Sequence, residues 1–214
     1  ADPDFNETNL TAMAAQMEIV WSKWNHATAQ WSVPQPLTAN GYLDYAPLLC
    51  GPMSDGSLLC VWTANQSDLL MGTNGAGSQV LWTQWSPASQ TWSGPQTLVA
   101  DLPYRLSQSL AGINNRAVYA WTRDLDGVLI NDSDQEVFHC EWTNGLWGPV
   151  TQFTTNALGN RNVRAVVAPG GDAYLVWQQG ADLVLSQNFS SASVARANSQ
   201  TTGFADYALT FGPG

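Results

Sequence analysis

Oxygen donors and tryptophans are the chemical equipment of this 214-residue chain. The stretch Asp124-Leu-Asp126-Gly127-Val-Leu-Ile-Asn131-Asp132-Ser-Asp134-Gln-Glu136 packs seven carboxylate or amide side chains into thirteen residues. A hard cation such as Ca2+ takes about six to eight oxygen ligands, so Asp124, Asp126, Asn131, Asp132 and Asp134 are candidate ligands for it. Asp-x-Asp-Gly opens as calcium loops open, but the later spacing is not that of an EF-hand. The competing reading is a solvated turn whose Asx side chains cap their own main chain. Trp31, Trp92 and Trp147 recur at the tips of predicted hairpins and are candidate ligand contacts, because an exposed indole offers a flat face to the apolar face of a sugar.

Other chemistry is poorly supplied. His26 and His139 are the only histidines, and neither stands in a zinc spacing. His139 occupies a strand position where other repeats carry Trp21 and Trp82, which predicts a packed ring. No Gly-x-Ser-x-Gly occurs, and no Ser/His/Asp set is supported. Glycoside hydrolysis needs a pair of carboxylates. Asp44, Asp101 and Asp206 recur at similar repeat positions, which predicts a capping or turn role, so no catalytic residue is assigned. Cys50 and Cys60 flank a turn marked by Asp55-Gly56. They are either a cross-hairpin disulfide or two small buried apolar residues, and Cys140 reads as a core filler.

The elements that carry these residues repeat. Trp24, Trp85 and Trp142 lie 61 and 57 residues apart, and Trp31, Trp92 and Trp147 lie 61 and 55 apart. A period of roughly 50–60 residues built from short strands marks a β-propeller of four-stranded antiparallel blades. A small-residue strand a ("APLLCGP", "SQSLAGI", "RAVVAPG") precedes an aromatic strand b ("SLLCVWTAN", "AVYAWTRD", "AYLVWQQG"). Strand c follows ("EIVWSKW", "QVLWTQW", "EVFHCEW"), then a strand d that carries Pro34, Pro36, Pro95 and Pro149. Proline cannot donate a ladder hydrogen bond, so strand d is predicted at a sheet edge.

The phase predicts blades at 44–101, 104–156 and 161–200. A partial blade precedes them at 17–40, after residues 1–16 that are either an N-terminal extension or the b–c loop of that partial blade, and the first strand of another follows at 204–214. A propeller must close its edges. The remainder of the ring is therefore expected from a longer chain or a second polypeptide, or the ends meet as one irregular blade of a four-bladed ring.

Composition narrows the partners. Only 11% of residues are charged, and seven Lys and Arg stand against seventeen Asp and Glu, a net charge of −10. Phosphate contacts need cations, so nucleic acid is excluded and an anionic membrane surface is disfavoured. No apolar run reaches the ~18 residues of a membrane-spanning helix. Asn-x-Ser/Thr at Asn6, Asn9, Asn65, Asn131 and Asn188 permits a glycosylated extracellular protein.

The pattern "W…W-S-x-P-x-x-L" followed by "D-G-S-L-L-x-V-W" resembles repeats of large secreted and surface-anchored bacterial propeller proteins. These are distant relatives of the Asp-box repeats of sialidase-like propellers. The resemblance covers residues 17–214 and implies an extracellular propeller. It departs at the motif itself: Ser86-Pro-Ala-Ser-Gln-Thr-Trp92 keeps the tryptophan and lacks the aspartate. The reading is thus a non-catalytic scaffold or carbohydrate- or protein-binding module. The alternatives are a glycan-active, sialidase-like enzyme fragment and a structural subunit of an extracellular assembly.

Overall fold

A computed structural model describes residues 16–66, 78–102, 104–190 and 195–198. Every regular element among them is a β-strand, as the Val, Leu, Trp and Tyr of strands a to c require. The chain is all-β, and no helix among the described residues is long and apolar enough to cross a membrane.

The first strands are short. β1 (Val20–Trp21) pairs with β4 (Gln35–Pro36), and β2 (Trp24–Asn25) with β3 (Gln30–Trp31). The next sheet runs β5 (Leu43–Cys50), β6 (Leu58–Asn65), β7 (Ser78–Ser86), β8 (Thr91–Trp92), with β9 (Gln96–Val99) also on β7. A third runs β10 (Arg105–Ile113), β11 (Arg116–Arg123), β12 (Glu136–Thr143), β13 (Leu146–Trp147), with β14 (Thr151–Gln152) also on β12. The last runs β15 (Asn160–Val167), β16 (Ala173–Gln179), β17 (Asp182–Gln187), β18 (Ala195–Asn198). Strand order follows chain order in each, as short connections dictate. β4, β9 and β14 each pair on one side only, so the prolines in and beside them remove no ladder bond. All but the last residue of the expected extension over 1–16, the expected strand at 204–214, and Asp206 lie outside the described residues.

The chain divides into two compact units: residues 1–47, 61–83 and 94–103, and residues 48–60, 84–93 and 104–214. In the first, Leu43, Val61, Trp62 and Val80 are buried. Part of its polar interior is hydrogen-bonded, as buried groups favour, although Asp44 Oδ2 and Thr63 Oγ1 are buried with no partner among the described residues. Thr38 Oγ1 accepts from Ile19 N at 2.9 Å, and Asp44 Oδ1 accepts from Trp62 Nε1 at 2.9 Å.

In the second unit, Val118, Ala120 and Val137 pack against Val163, Ala165, Leu175, Trp177 and Val184. The first strands of the two sheets meet through side chains: Ser107 Oγ accepts from Val163 N (3.2 Å) and Ser109 Oγ from Ala165 N (3.0 Å). Small residues on strand a permit this crowding. A Cβ on Gly112 would stand 2.7 Å from Ala117 Cβ and 2.8 Å from Cys50 Sγ.

One polar device recurs with a gap. Asp44, Leu102 and Asn160 occupy the same register, because each donates its main-chain N–H to the residue that leads into the preceding strand c: Met17, Ser78 and Gln135. Asp44 accepts from Trp62, and Asn160 Oδ1 from Trp177 Nε1 at 3.0 Å. Leu102 offers no acceptor, and Trp121 Nε1 is buried with no hydrogen-bond partner among the described residues. The expected repeated aspartate is thus corrected. Asp44 takes a buried hydrogen-bonding role, while Asp101 is exposed and one residue out of register.

Candidate functional site

Three hairpins bring the paired tryptophans together. Trp24 lies opposite Trp31, Trp85 opposite Trp92, and Trp142 opposite Trp147. The first two turns span four residues, with Ala29 and Gln90 at φ of 51° and 58°. The third is Asn144-Gly145, both at positive φ, the pairing a two-residue hairpin turn favours. This shorter turn accounts for the shorter tryptophan spacing of that repeat without disturbing the cross-strand pair.

Each hairpin flanks a groove. The first holds about 470 Å³, lined by Lys23, Asn25, His26, Gln30 and both indoles. Trp24 and Trp31 meet edge to face with ring centroids 5.6 Å apart. Trp31 is 66% exposed and Trp24 38%. Ser32 rigidifies the wall: its Oγ accepts from Lys23 N (2.9 Å) and its N donates to Lys23 O (2.8 Å). Asn25 Oδ1 holds the turn by accepting from Ala27 N at 2.9 Å.

The second groove, about 320 Å³, is lined by Asp55, Ser57, Gln84, Ser86 and Trp92 among others. Gln84 Nε2 donates to Ser57 Oγ at 2.8 Å, and Asp55 Oδ1 accepts from Ser57 N at 2.9 Å. The third, about 290 Å³, is lined by His139, Glu141, Thr143, Gly148, Pro149 and Thr151. Trp147 is not part of its wall. Trp31 and Trp92 each line a groove beside their hairpin, and Trp147 belongs to a hairpin whose groove is lined by other groups.

Glu141 is held by Arg116, whose Nη2 lies 2.6 Å from Glu141 Oε2. His139 is packed as expected, stacked on Phe189 at 4.0 Å and edge-on to Phe153 at 5.9 Å. Burial holds its imidazole below the usual range; Glu141 opposes that shift and Arg116 adds to it. These grooves were legible only as hairpins. Their polar walls come from Ser32 and Ser57, which the repeat pattern contains without marking them as site residues, and from Gln84 and Glu141, which no motif marks.

The acidic loop divides. Asp124, Asp126 and Asp134 bring carboxylate oxygens within 4.8 Å of one another. The other two expected ligands turn elsewhere. Asn131 Oδ1 accepts from Ser133 Oγ at 2.8 Å, and Asp132 pairs with Arg161.

Cys50, Cys60 and Cys140 are free thiols. Cys50 ends β5, and residues 51–57 separate it from β6, a longer connection than a three-residue loop. Burial pushes all three thiols up to about 12, so none is a ready nucleophile. Asn65 is fully buried and donates to Ser78 Oγ, which closes that glycosylation motif in the folded chain.

No protein-family model matches the sequence, and no curated protein sequence matches it. Solved structures do. The Hadza microbial sialidase Hz136 is similar with a TM-score of 0.52 at 10% identity, over 86% of this chain and 40% of that one. A thermostable family-43 glycoside hydrolase is similar at TM-score 0.47 and 14% identity, over 78% and 63%. The Trypanosoma rangeli sialidase gives 0.45 and 9%, over 84% and 33%. This chain spans less than two thirds of each. The first likeness concerns the fold, that of a sialidase-like β-propeller.

Proposed function

We propose that this chain is a non-catalytic carbohydrate-binding segment of an extracellular β-propeller, with the Trp24–Trp31 groove as its principal contact surface. The observation that carries the reading is the exposure of two adjacent indoles in a groove otherwise walled by amide, hydroxyl, imidazole and ammonium groups. Exposed apolar surface rimmed by polar groups marks a binding site. Indole faces take the C–H face of a pyranose, and Asn25, Gln30 and Lys23 offer hydrogen bonds to its hydroxyls. The second groove offers one half-buried indole, Trp92, with Gln84, Ser57 and Asp55, and serves as a weaker second contact that makes binding multivalent.

The blade limits 44–101, 104–156 and 161–200 belong to the same proposal, supported by sheets whose first strands begin within a residue of them, at Leu43, Arg105 and Asn160. So do a ring completed by further polypeptide and a location outside the cell, for which the low charge and the exposed Asn131 motif speak.

Titration calorimetry against a panel of soluble polysaccharides tests this. Trp31→Ala, at an exposed position, is expected to weaken binding at least tenfold, or about 1.4 kcal/mol. Unchanged affinity in that variant, or no binding across the panel, refutes the reading.

A further inference from the structure

We propose that the loop between β11 and β12 binds Ca2+ through Asp124, Asp126 and Asp134. This goes beyond the glycan reading and does not depend on it. Each carboxylate is aimed by the main chain through one oxygen. Asp124 Oδ1 accepts from Gly127 N (2.6 Å), and Asp126 Oδ1 from Val128 N (2.7 Å). Asp134 Oδ2 accepts from both Leu125 N (3.0 Å) and Asp126 N (2.7 Å). The remaining oxygens set this trio apart from an ordinary acidic turn. Asp124 is 0% exposed, and its Oδ2 has no hydrogen-bond partner among the described residues. Asp134 Oδ1 is equally enclosed and equally without a donor.

A buried carboxylate oxygen left unbonded is costly, and several beside one another more so. Neither ion pair of the described residues involves the trio: Arg116 goes to Glu141 and Arg161 to Asp132. Ligand atoms within 4.8 Å of one another can share one ion at the ~2.3–2.6 Å bond lengths of Ca2+, with water filling the remaining positions. Consistent with gathered negative charge, burial and then the neighbouring Asp134 and Asp126 push the Asp124 carboxyl up, against the Gly127 hydrogen bond. Gly127, at φ +78°, gives the loop its bend, and a Cβ there would stand 2.9 Å from the Tyr104 ring. The tyrosine therefore lies against the loop and can sensitise a bound lanthanide.

The test is terbium luminescence excited through tyrosine, on the intact chain stripped with EGTA, followed by competition with Ca2+. Saturable emission, displaced by Ca2+ and weakened at least tenfold in Asp126→Asn, supports the site. Asp126 is exposed, so this variant keeps its fold even if Asp124→Asn does not. Tyr104→Phe is expected to retain Ca2+-dependent thermal stabilisation while losing emission. Absence of saturable emission together with no Ca2+-dependent change in Tm overturns the proposal. So does equal affinity in Asp126→Asn and the unaltered chain. If Ca2+ has no effect and Asp124→Asn raises Tm, the carboxylates share a proton instead, and the proposal fails.

Discussion

Trp121 and Trp177 occupy one register of successive repeats and are both almost wholly buried, yet their indole nitrogens differ. Trp177 Nε1 donates to Asn160 Oδ1 at 3.0 Å, an oxygen that also receives Gln179 Nε2 at 3.0 Å. Trp121 Nε1 has no partner among the described residues. Replacing each by phenylalanine removes a similar buried volume, and the cavity cost largely cancels in the comparison. Trp121→Phe keeps the aromatic stack with Tyr119 (5.1 Å) and Phe138 (5.8 Å) and deletes an unsatisfied donor. Trp177→Phe deletes a hydrogen bond but leaves Asn160 Oδ1 its second donor. A net hydrogen bond is worth about 1 kcal/mol, and relief of a buried unpaired N–H about 1–3 kcal/mol. Trp177→Phe is therefore expected to cost about 2–4 kcal/mol more than Trp121→Phe. The assay is urea unfolding followed by far-ultraviolet circular dichroism, since the substitutions alter fluorescence. With a slope of roughly 2 kcal/mol/M, the midpoints separate by about 1–2 M. Coincident midpoints, or a lower midpoint for Trp121→Phe, refute the reasoning and show that the Trp121 N–H is bonded in solution.

Two further outcomes follow from the packing. Gly112→Ala drives a Cβ against Ala117 Cβ, Cys50 Sγ and Met53 Cε and is expected to cost about 1–3 kcal/mol by overpacking; an unchanged urea midpoint contradicts the close approach. His139 has a folded value below its unfolded one, so the unfolded chain takes up a proton first as the pH falls below about 6.5. That contribution to stability is present above this range and lost below it. Tm is expected to fall from pH 7.5 to 5.5, with a shallower fall in His139→Gln, and identical slopes would show that His139 protonates freely in the folded chain.

Much of the architecture was legible because strand chemistry is local. The tryptophan period, the turn residues and the edge prolines located β5 to β17 closely, since β propensity, proline's missing donor and the Asn144-Gly145 turn act within a few residues. Expectations that needed a through-space partner fared differently. Asp101 looked equivalent to Asp44 by spacing, but main-chain registration assigns that place to Leu102. Five acidic-loop ligands could not be told apart along the chain, because Arg161, which takes Asp132, lies on another strand.

The sequence by itself determined the strand content, the repeat and its hairpin tryptophans, because alternation and turn chemistry are written in neighbouring residues. Only the tertiary structure decided which side chains share an environment. It left Trp31 exposed while burying Trp121, enclosed the Asp124 carboxylate, sealed the Asn65 motif and separated Trp147 from its groove. Burial and hydrogen-bond satisfaction are set by residues distant in the chain and near in space, and no local pattern records them.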